Sequence, residues 1–179
     1  EYVTISSAGN AIDFGDLLSP TGNIASCSSS TRGIFAGGSV SGISAINVIQ
    51  YITIASVGNA TDFGDLGGTQ KSMASCASPT RGIFAGGDYD GNVTNSISYI
   101  TIASVGNATD FGDLAFPTLT NADSPTGCSN ATRGLIFMGA NGDLSEYSNV
   151  INYITIATTG NALDFGDLAV QAQLGGAAC

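Results

Sequence analysis

The chain contains no histidine and no tryptophan, and only four of its 179 residues are Lys or Arg. Without histidine there is no Ser/His/Asp or Cys/His arrangement for nucleophilic catalysis. The commonest metal ligand is missing as well. The four basic residues stand against fourteen acidic ones, a formal charge of −10. Binding to nucleic-acid phosphates needs clustered Lys and Arg, so nucleic acid is not an expected partner, and neither is an anionic membrane surface. Mean hydropathy is positive, yet no run approaches the roughly 18 apolar residues of a spanning helix, so membrane insertion is not expected. Lys and Glu are scarce while Gly, Ser, Thr, Ala and Asn are abundant, a balance that argues against helices.

What is present is repetition. Tyr2-Val-Thr-Ile, Tyr51-Ile-Thr-Ile, Tyr99-Ile-Thr-Ile and Tyr153-Ile-Thr-Ile open equivalent units 49, 48 and 54 positions apart. Each is followed by Asp-Phe-Gly-Asp-Leu, at 13–17, 62–66, 110–114 and 164–168, and three units continue into Cys-x4-Arg-Gly at Cys27/Arg32, Cys76/Arg81 and Cys128/Arg133. Periods of this length mean a solenoid, a propeller or an array. A residue that recurs in every unit is more often part of the building block than of an active site. Both ends cut through the repeat, as expected of a piece of a longer chain or of a chain whose open half-units another subunit completes.

The four cysteines, Cys27, Cys76, Cys128 and Cys179, also recur once per unit. Packed sheets lie about 10 Å apart, whereas a disulfide needs Cα atoms within roughly 7 Å. Equivalent cysteines on neighbouring units are poorly placed to pair, so buried free thiols are the expectation. With no His and no C-x2-C, metal ligation by cysteine is not expected, and no motif implies a cofactor.

Within one unit, Met73-Ala-Ser-Cys-Ala reads as a short strand and Gly82-Ile-Phe-Ala as a buried one, ended by Gly86-Gly87. A loop with an Asp-Gly turn signal follows. From Asn95, Ile97, Tyr99, Thr101 and Ala103 alternate against Ser96, Ser98, Ile100 and Ile102, which is the pattern of a third strand. After the turn at Val105-Gly-Asn, residues 108–114 make the fourth and shortest strand. Four short antiparallel strands per unit suit one propeller blade. Such a leaflet hides neither face alone and becomes stable when neighbours cover both.

A small strand, an apolar strand ending in Gly-Gly, a variable loop, Asn-x-Ile-x-Tyr and a later aromatic together resemble the kelch repeat over essentially the whole chain. Gly37-Gly38 and Gly86-Gly87 match that family's double glycine, and Tyr51, Tyr99 and Tyr153 its third-strand Tyr. Phe14, Phe63, Phe111 and Phe165 stand where the family has Trp, and the third unit has Gly139-Ala140 in place of two glycines. The resemblance implies an all-β propeller of four-stranded antiparallel blades, usually about six or seven in that family. About three and a half blades' worth of strands are present: units near 23–66, 72–114 and 122–168, residues 1–17 as outer strands of a preceding blade and 172–179 as the start of a following one. The wording of the repeats also looks like that of virion proteins of marine phages, in tails or fibres.

Several residues invite a chemical reading. Asp-Phe-Gly resembles the kinase metal-binding signature, but four copies without a Gly-rich loop, a catalytic Asp or a Lys do not make a kinase. Packing is the better account: Phe between blades, Gly for close approach and Asp accepting main-chain bonds. Arg32, Arg81 and Arg133 are the only arginines and share one repeat position. They suit either a row of guanidinium groups gripping carboxylated sugars or another subunit, or, as favoured, pairs with Asp16, Asp65 or Asp113 that link blade to blade. Asp88-x-Asp90-Gly begins like a Ca²⁺ loop but lacks the remaining ligands, so a turn is the better reading. Four glycosylation sequons, at Asn59, Asn92, Asn107 and Asn130, read as turns. Paired carboxylates such as Asp13/Asp16 recur in every unit, which does not suit a unique acid/base pair.

These readings lead to a non-catalytic structural and binding module of an extracellular or virion-surface assembly. Its loops, at 38–47, 87–95 and 140–149, vary over a constant scaffold and would face a host glycan or protein. Its other partners would be protein subunits of the assembly. An enzymatic alternative is a propeller glycoside hydrolase or lyase using Asp123, Asp143, Glu146 and Tyr147 of the third unit. A further alternative is a self-assembling subunit, a homo-oligomer closed by strand exchange at unpaired edges.

Overall fold

The computed structural model describes residues 1–40, 44–89, 92–115, 124–139 and 147–172. Asp90, Asp123, Asp143 and Glu146, singled out above, lie outside the described residues, as do 173–179. Among the described residues there is no helix, and every strand pairing is antiparallel.

The first full unit contains β1 (Thr21–Gly22), β2 (Ala25–Ser28), β3 (Arg32–Ala36), β4 (Ser39–Val40), β5 (Ser44–Thr53) and β6 (Thr61–Lys71). The second contains β7 (Ala74–Ala77), β8 (Arg81–Ala85), β9 (Asp88–Tyr89), β10 (Asn92–Val93), β11 (Ser96–Thr101) and β12 (Thr109–Asp113). The third contains β13 (Thr126–Ser129), β14 (Arg133–Phe137), β15 (Ser148–Thr155) and β16 (Leu163–Ala172). Each unit forms a four-stranded meander, with orders β2-β3-β5-β6, β7-β8-β11-β12 and β13-β14-β15-β16. Register repeats as closely as sequence does. Cys27 faces Ile34, which faces Tyr51, and the rows Cys76–Ile83–Tyr99 and Cys128–Leu135–Tyr153 follow in the next sheets.

The fourth strand is not the shortest. β12 has five residues against four in β7, and β6 and β16 run to eleven and ten. The strand outlasts its expected length because β6 continues past Leu66 to pair with β9 of the next unit, Gln70 opposite Tyr89 and Lys71 opposite Asp88. The Asp-Phe-Gly triplet is a bulge in this strand. Ile49 faces Gly64 while Gln50 faces Asp62, leaving Phe63 as the extra residue, and the shift recurs at Phe111 and Phe165. A bulge bends the strand and re-aims a side chain. Here it turns Phe63 and Phe111 into the space between sheets, where each is buried.

Both faces of the second sheet are apolar because both are covered. Phe84, Ile100 and Ile102 pack against Ile34, Ile49, Phe63 and Leu66 of the first sheet. On the opposite face, Ile83, Ile97, Phe111 and Leu114 pack against Ile136, Ile154 and Ile156 of the third. The first strands lie side by side at these contacts: Ser75 Oγ donates to the Ser26 carbonyl at 2.6 Å, and Ser129 Oγ to the Ala77 carbonyl at 2.7 Å.

A meander of this kind has two unlike edges. One carries the turns at 29–31, 54–60 and their repeats. The other carries the connection between second and third strands and the crossover to the next unit. The double glycine lies on this second edge. Gly37 and Gly38 have φ of 61° and 97°, and a Cβ on Gly37 would stand 2.3 Å from the Gln70 carbonyl oxygen of the crossing strand. Only Gly combines that backbone with that approach. Gly87, with φ 88° and the Lys71 carbonyl oxygen 2.4 Å from its would-be Cβ, repeats the device.

Candidate functional site

The crossover edge is where the units differ. In the first unit β4 pairs with β1 and β5; in the second, β9 and β10 form a small hairpin laid on the end of β6. Lys71 Nζ meets Asp88 Oδ2 at 3.2 Å across this junction, the one ion pair among the described residues. Asp88 therefore faces a lysine, and its Oδ1 is buried without a hydrogen-bond partner. Among the described residues no group of three or more His, Cys, Asp or Glu is placed to hold a metal ion.

Beside this edge the three crossovers meet around a cavity of about 280 Å³, lined by Asn23, Ile24, Ser72, Met73, Ser124, Pro125 and Thr126. Asn23, Ser72 and Ser124 have φ of 52°, 56° and 52°, left-handed backbone at three equivalent positions. The Ser72 N–H donates to the Asn23 carbonyl at 3.0 Å, tying one crossover to the next. Asn tolerates this region and Ser less so. No sequence pattern marked these residues, because the strain comes from the crossover path.

The arginines have a different role from the carboxylate pairing expected of them. Arg32 lies over the Tyr51 ring at 4.5 Å, Arg81 over Tyr99 at 4.5 Å and Arg133 over Tyr153 at 4.7 Å. Each Tyr in turn meets the bulged Phe edge-on: Tyr51–Phe63, Tyr99–Phe111 and Tyr153–Phe165, with Tyr2–Phe14 at the N-terminal half-unit. From this stack Arg32 Nη1 donates to the Ile102 carbonyl at 2.7 Å and Arg81 Nη1 to the Ile156 carbonyl at 3.0 Å. The link from sheet to sheet is present, but its acceptor is a main-chain carbonyl and not Asp16, Asp65 or Asp113. A planar cation can stack on an aromatic face and donate in its own plane at once, which accounts for Arg at this position.

The second aspartate of each run acts through its backbone, while the first accepts with its carboxylate where Gly15 and Gly166 N–H groups donate to Asp13 and Asp164 Oδ1 at 3.2 and 3.0 Å. The Gly58 and Ala60 N–H groups donate to the Phe14 and Asp16 carbonyls at 2.7 and 2.8 Å, while the Asp16 N–H donates to Asn59 Oδ1 at 3.0 Å. The same three bonds join Phe63 and Asp65 to 106–108, and Phe111 and Asp113 to 160–162. A Cβ on Gly15, Gly64 or Gly112 would stand 2.4–2.6 Å from the facing glycine's carbonyl oxygen. The Asp-Phe-Gly-Asp run is thus a main-chain clasp. Asn59 and Asn107, two of the sequon residues, are its acceptors; Asn130 caps the turn before Arg133, accepting from the Thr132 and Arg133 N–H groups.

Between the N-terminal half-unit and the first sheet runs an apolar groove of about 430 Å³, bounded by Tyr2, Phe14, Phe35, Ile52 and Ile54. In the two following joints the equivalent space beside Tyr51 and Tyr99 holds the Arg32 and Arg81 side chains.

Cys27 and Cys76 are free, and each Sγ fills the space that a side chain on the next sheet's Gly82 or Gly134 would need. Burial pushes both thiols up from the ordinary 9.0 to about 12, with the neighbouring Cys76 adding to the effect at Cys27. They are small apolar fillers and not nucleophiles. Cys128 departs from the expectation of free thiols: it is disulfide-bonded. Of the third-unit residues weighed for an enzyme, only Tyr147 is described, and it is exposed. No protein-family model matches the chain, and no curated protein matches it in sequence.

Proposed function

We propose that the chain is a kelch-like β-propeller segment acting as a non-catalytic structural and binding module in an extracellular or virion-surface assembly. Stacked four-stranded leaflets whose first strands touch and whose two faces are both buried favour an arrangement around an axis. The observation that carries the functional reading is the division between the two edges. One edge keeps turns of constant length, and the joints are built from residues that recur from unit to unit. The other edge carries the residues that do not recur, set on short strand pairs that fix them without serving the core. Recognition on repeat scaffolds resides in such variable segments, and a surface of this acidity suits a carbohydrate or protein partner better than a polyanion.

The test is binding of the purified chain to an array of bacterial surface polysaccharides. Replacing residues 89–93 by Gly-Ser sequence is expected to weaken retention about tenfold, about 1.4 kcal/mol, while the β-sheet circular dichroism of the folded chain persists. Val57→Ser, at an exposed turn on the opposite edge, is expected to leave binding intact. Absence of binding to the array, or equal loss from both changes, refutes the proposal.

A further inference from the structure

The cavity beside the crossover edge is walled by the interior of the chain alone, since Asn23, Ser72 and 124–126 all lie inward of both terminal half-units. Its polar groups are not used by the fold. Elsewhere short polar side chains are: Ser29 and Ser78 accept from the Arg32 and Arg81 N–H groups, Asn59 and Asn107 hold the clasp, and Ser75 and Ser129 tie one first strand to the next. Among the described residues the Asn23 amide and the Ser72 and Thr126 hydroxyls take part in no hydrogen bond. The backbone is strained where Ser72 stands: at φ 56° it occupies the left-handed region, in which glycine would sit at ease, and strain of this kind clusters at ligand clamps. Ile24, Met73 and Pro125 supply an apolar wall, and among the described residues none that lines the cavity is charged. Lys71, next in sequence to Ser72, is held by Asp88.

We propose that this cavity binds one uncharged sugar ring of the glycan that the crossover edge contacts, an inference that rests on the recognition reading of that edge. Three features select the ligand. Hydroxyl and amide groups that donate and accept match the hydroxyl rim of a pyranose, and the apolar wall matches its C–H face. A lining without a cation, in a chain of formal charge −10, disfavours carboxylated or sulfated sugars. At about 280 Å³ the cavity falls just below the ~300–1,000 Å³ of sites for drug-sized ligands, so it takes a single ring and leaves the rest of the glycan to the loops.

Titration of the isotope-labelled chain with methyl α-glucoside, methyl α-galactoside, methyl α-mannoside and, for contrast, glucuronate tests this by NMR. At least one neutral glycoside is expected to shift the Asn23, Ser72 and Thr126 amide signals saturably, and glucuronate to leave them in place. Ser72→Gly and Asn23→Gly remove a polar group while keeping a residue at home in left-handed backbone, so the β-sheet circular dichroism should not change. Each is expected to weaken binding about fivefold, the loss of one hydrogen bond. No saturable shift with any of the neutral glycosides overturns the proposal, as does equally strong binding of glucuronate, or binding that both variants retain in full. A chain that the polysaccharide array retains but no glycoside perturbs overturns the cavity alone. Cavity binding without retention on the array upholds the cavity and overturns the reading of the edge.

Discussion

Replacing Gly64 by alanine, with Gly166→Ala as its matched control, isolates the energy of the joint between sheets. Both glycines follow the bulged Phe, with φ of 144° and 136°. Both substitutions therefore carry the same backbone strain, about 1–3 kcal/mol for a residue forced into a conformation that only Gly adopts readily. They differ in what the new methyl group meets. At Gly166 it meets nothing within 4 Å; at Gly64 it lands 2.5 Å from the Gly106 carbonyl, main-chain atoms that cannot rotate aside. The first and second sheets must then part by roughly 1 Å, the shortfall from ordinary contact. That displacement breaks the Gly106–Phe63 and Ala108–Asp65 bonds and the more exposed Asp65–Asn107 bond. At about 1 kcal/mol each, with the exposed one counting for less, the difference should be about 2–3 kcal/mol, a large share of the ~5–15 kcal/mol that holds a domain folded. Urea titration followed by circular dichroism, on chains dilute enough to be monomeric, measures it. Equal midpoint losses for the two variants would show that the clasp contributes nothing beyond its geometry, and would refute the reasoning.

The arginine stack gives a second measurement: Arg81→Lys is expected to cost about 1–3 kcal/mol, through lost stacking and a lost charged hydrogen bond. A double-mutant cycle with Tyr99→Leu should return a coupling of about 1 kcal/mol, and a coupling near zero would mean that ring and guanidinium are merely adjacent. For the thiols, Cys27 and Cys76 are expected to resist iodoacetamide in the folded chain near neutral pH and to react once it is unfolded. Since burial raises both from 9.0 to about 12, the unfolded chain loses these protons first. Stability is whole below pH 9 and falls as pH rises from 9 towards 12. A flat urea midpoint across that window would show that the thiols are not buried.

How far the sequence could be read depends on which atoms carry each feature. The strands at 74–77, 81–85 and 96–101 declare themselves through β-branched and apolar side chains, and the double glycine declares a backbone need that no other residue meets. The Phe and Tyr positions were legible as packing residues because they recur with the period. What escaped is main-chain business. Arg81 binds the carbonyl of Ile156, and a carbonyl leaves no trace in a sequence because every residue has one. The recurring carboxylates were therefore the natural, and mistaken, choice of partner. Ser72 and Ser124 in left-handed backbone were hidden for a related reason, since the path of the crossover imposes that conformation. The length of β6 was underestimated because its last residues are held by β9 of the next unit, a partner that no local pattern announces. At the crossover edge, the non-recurrence of the loops could be read, whereas the hairpin that presents one of them could not.

The confinement of variation to one edge has a consequence for how such a chain can change. Spacing between units rises from 48 to 54 positions in the third, and all of the surplus lies in 115–127 and 138–148, the sequence between β12 and the middle of β13 and between β14 and β15. The clasp on the other side neither lengthens nor shifts. Insertions can therefore accumulate along one rim while the fastenings keep their spacing, so whole modules can be duplicated or dropped without altering the fastening surfaces of the survivors. A lineage of such chains would be free to renew what it touches while inheriting, unaltered, the means by which it holds together.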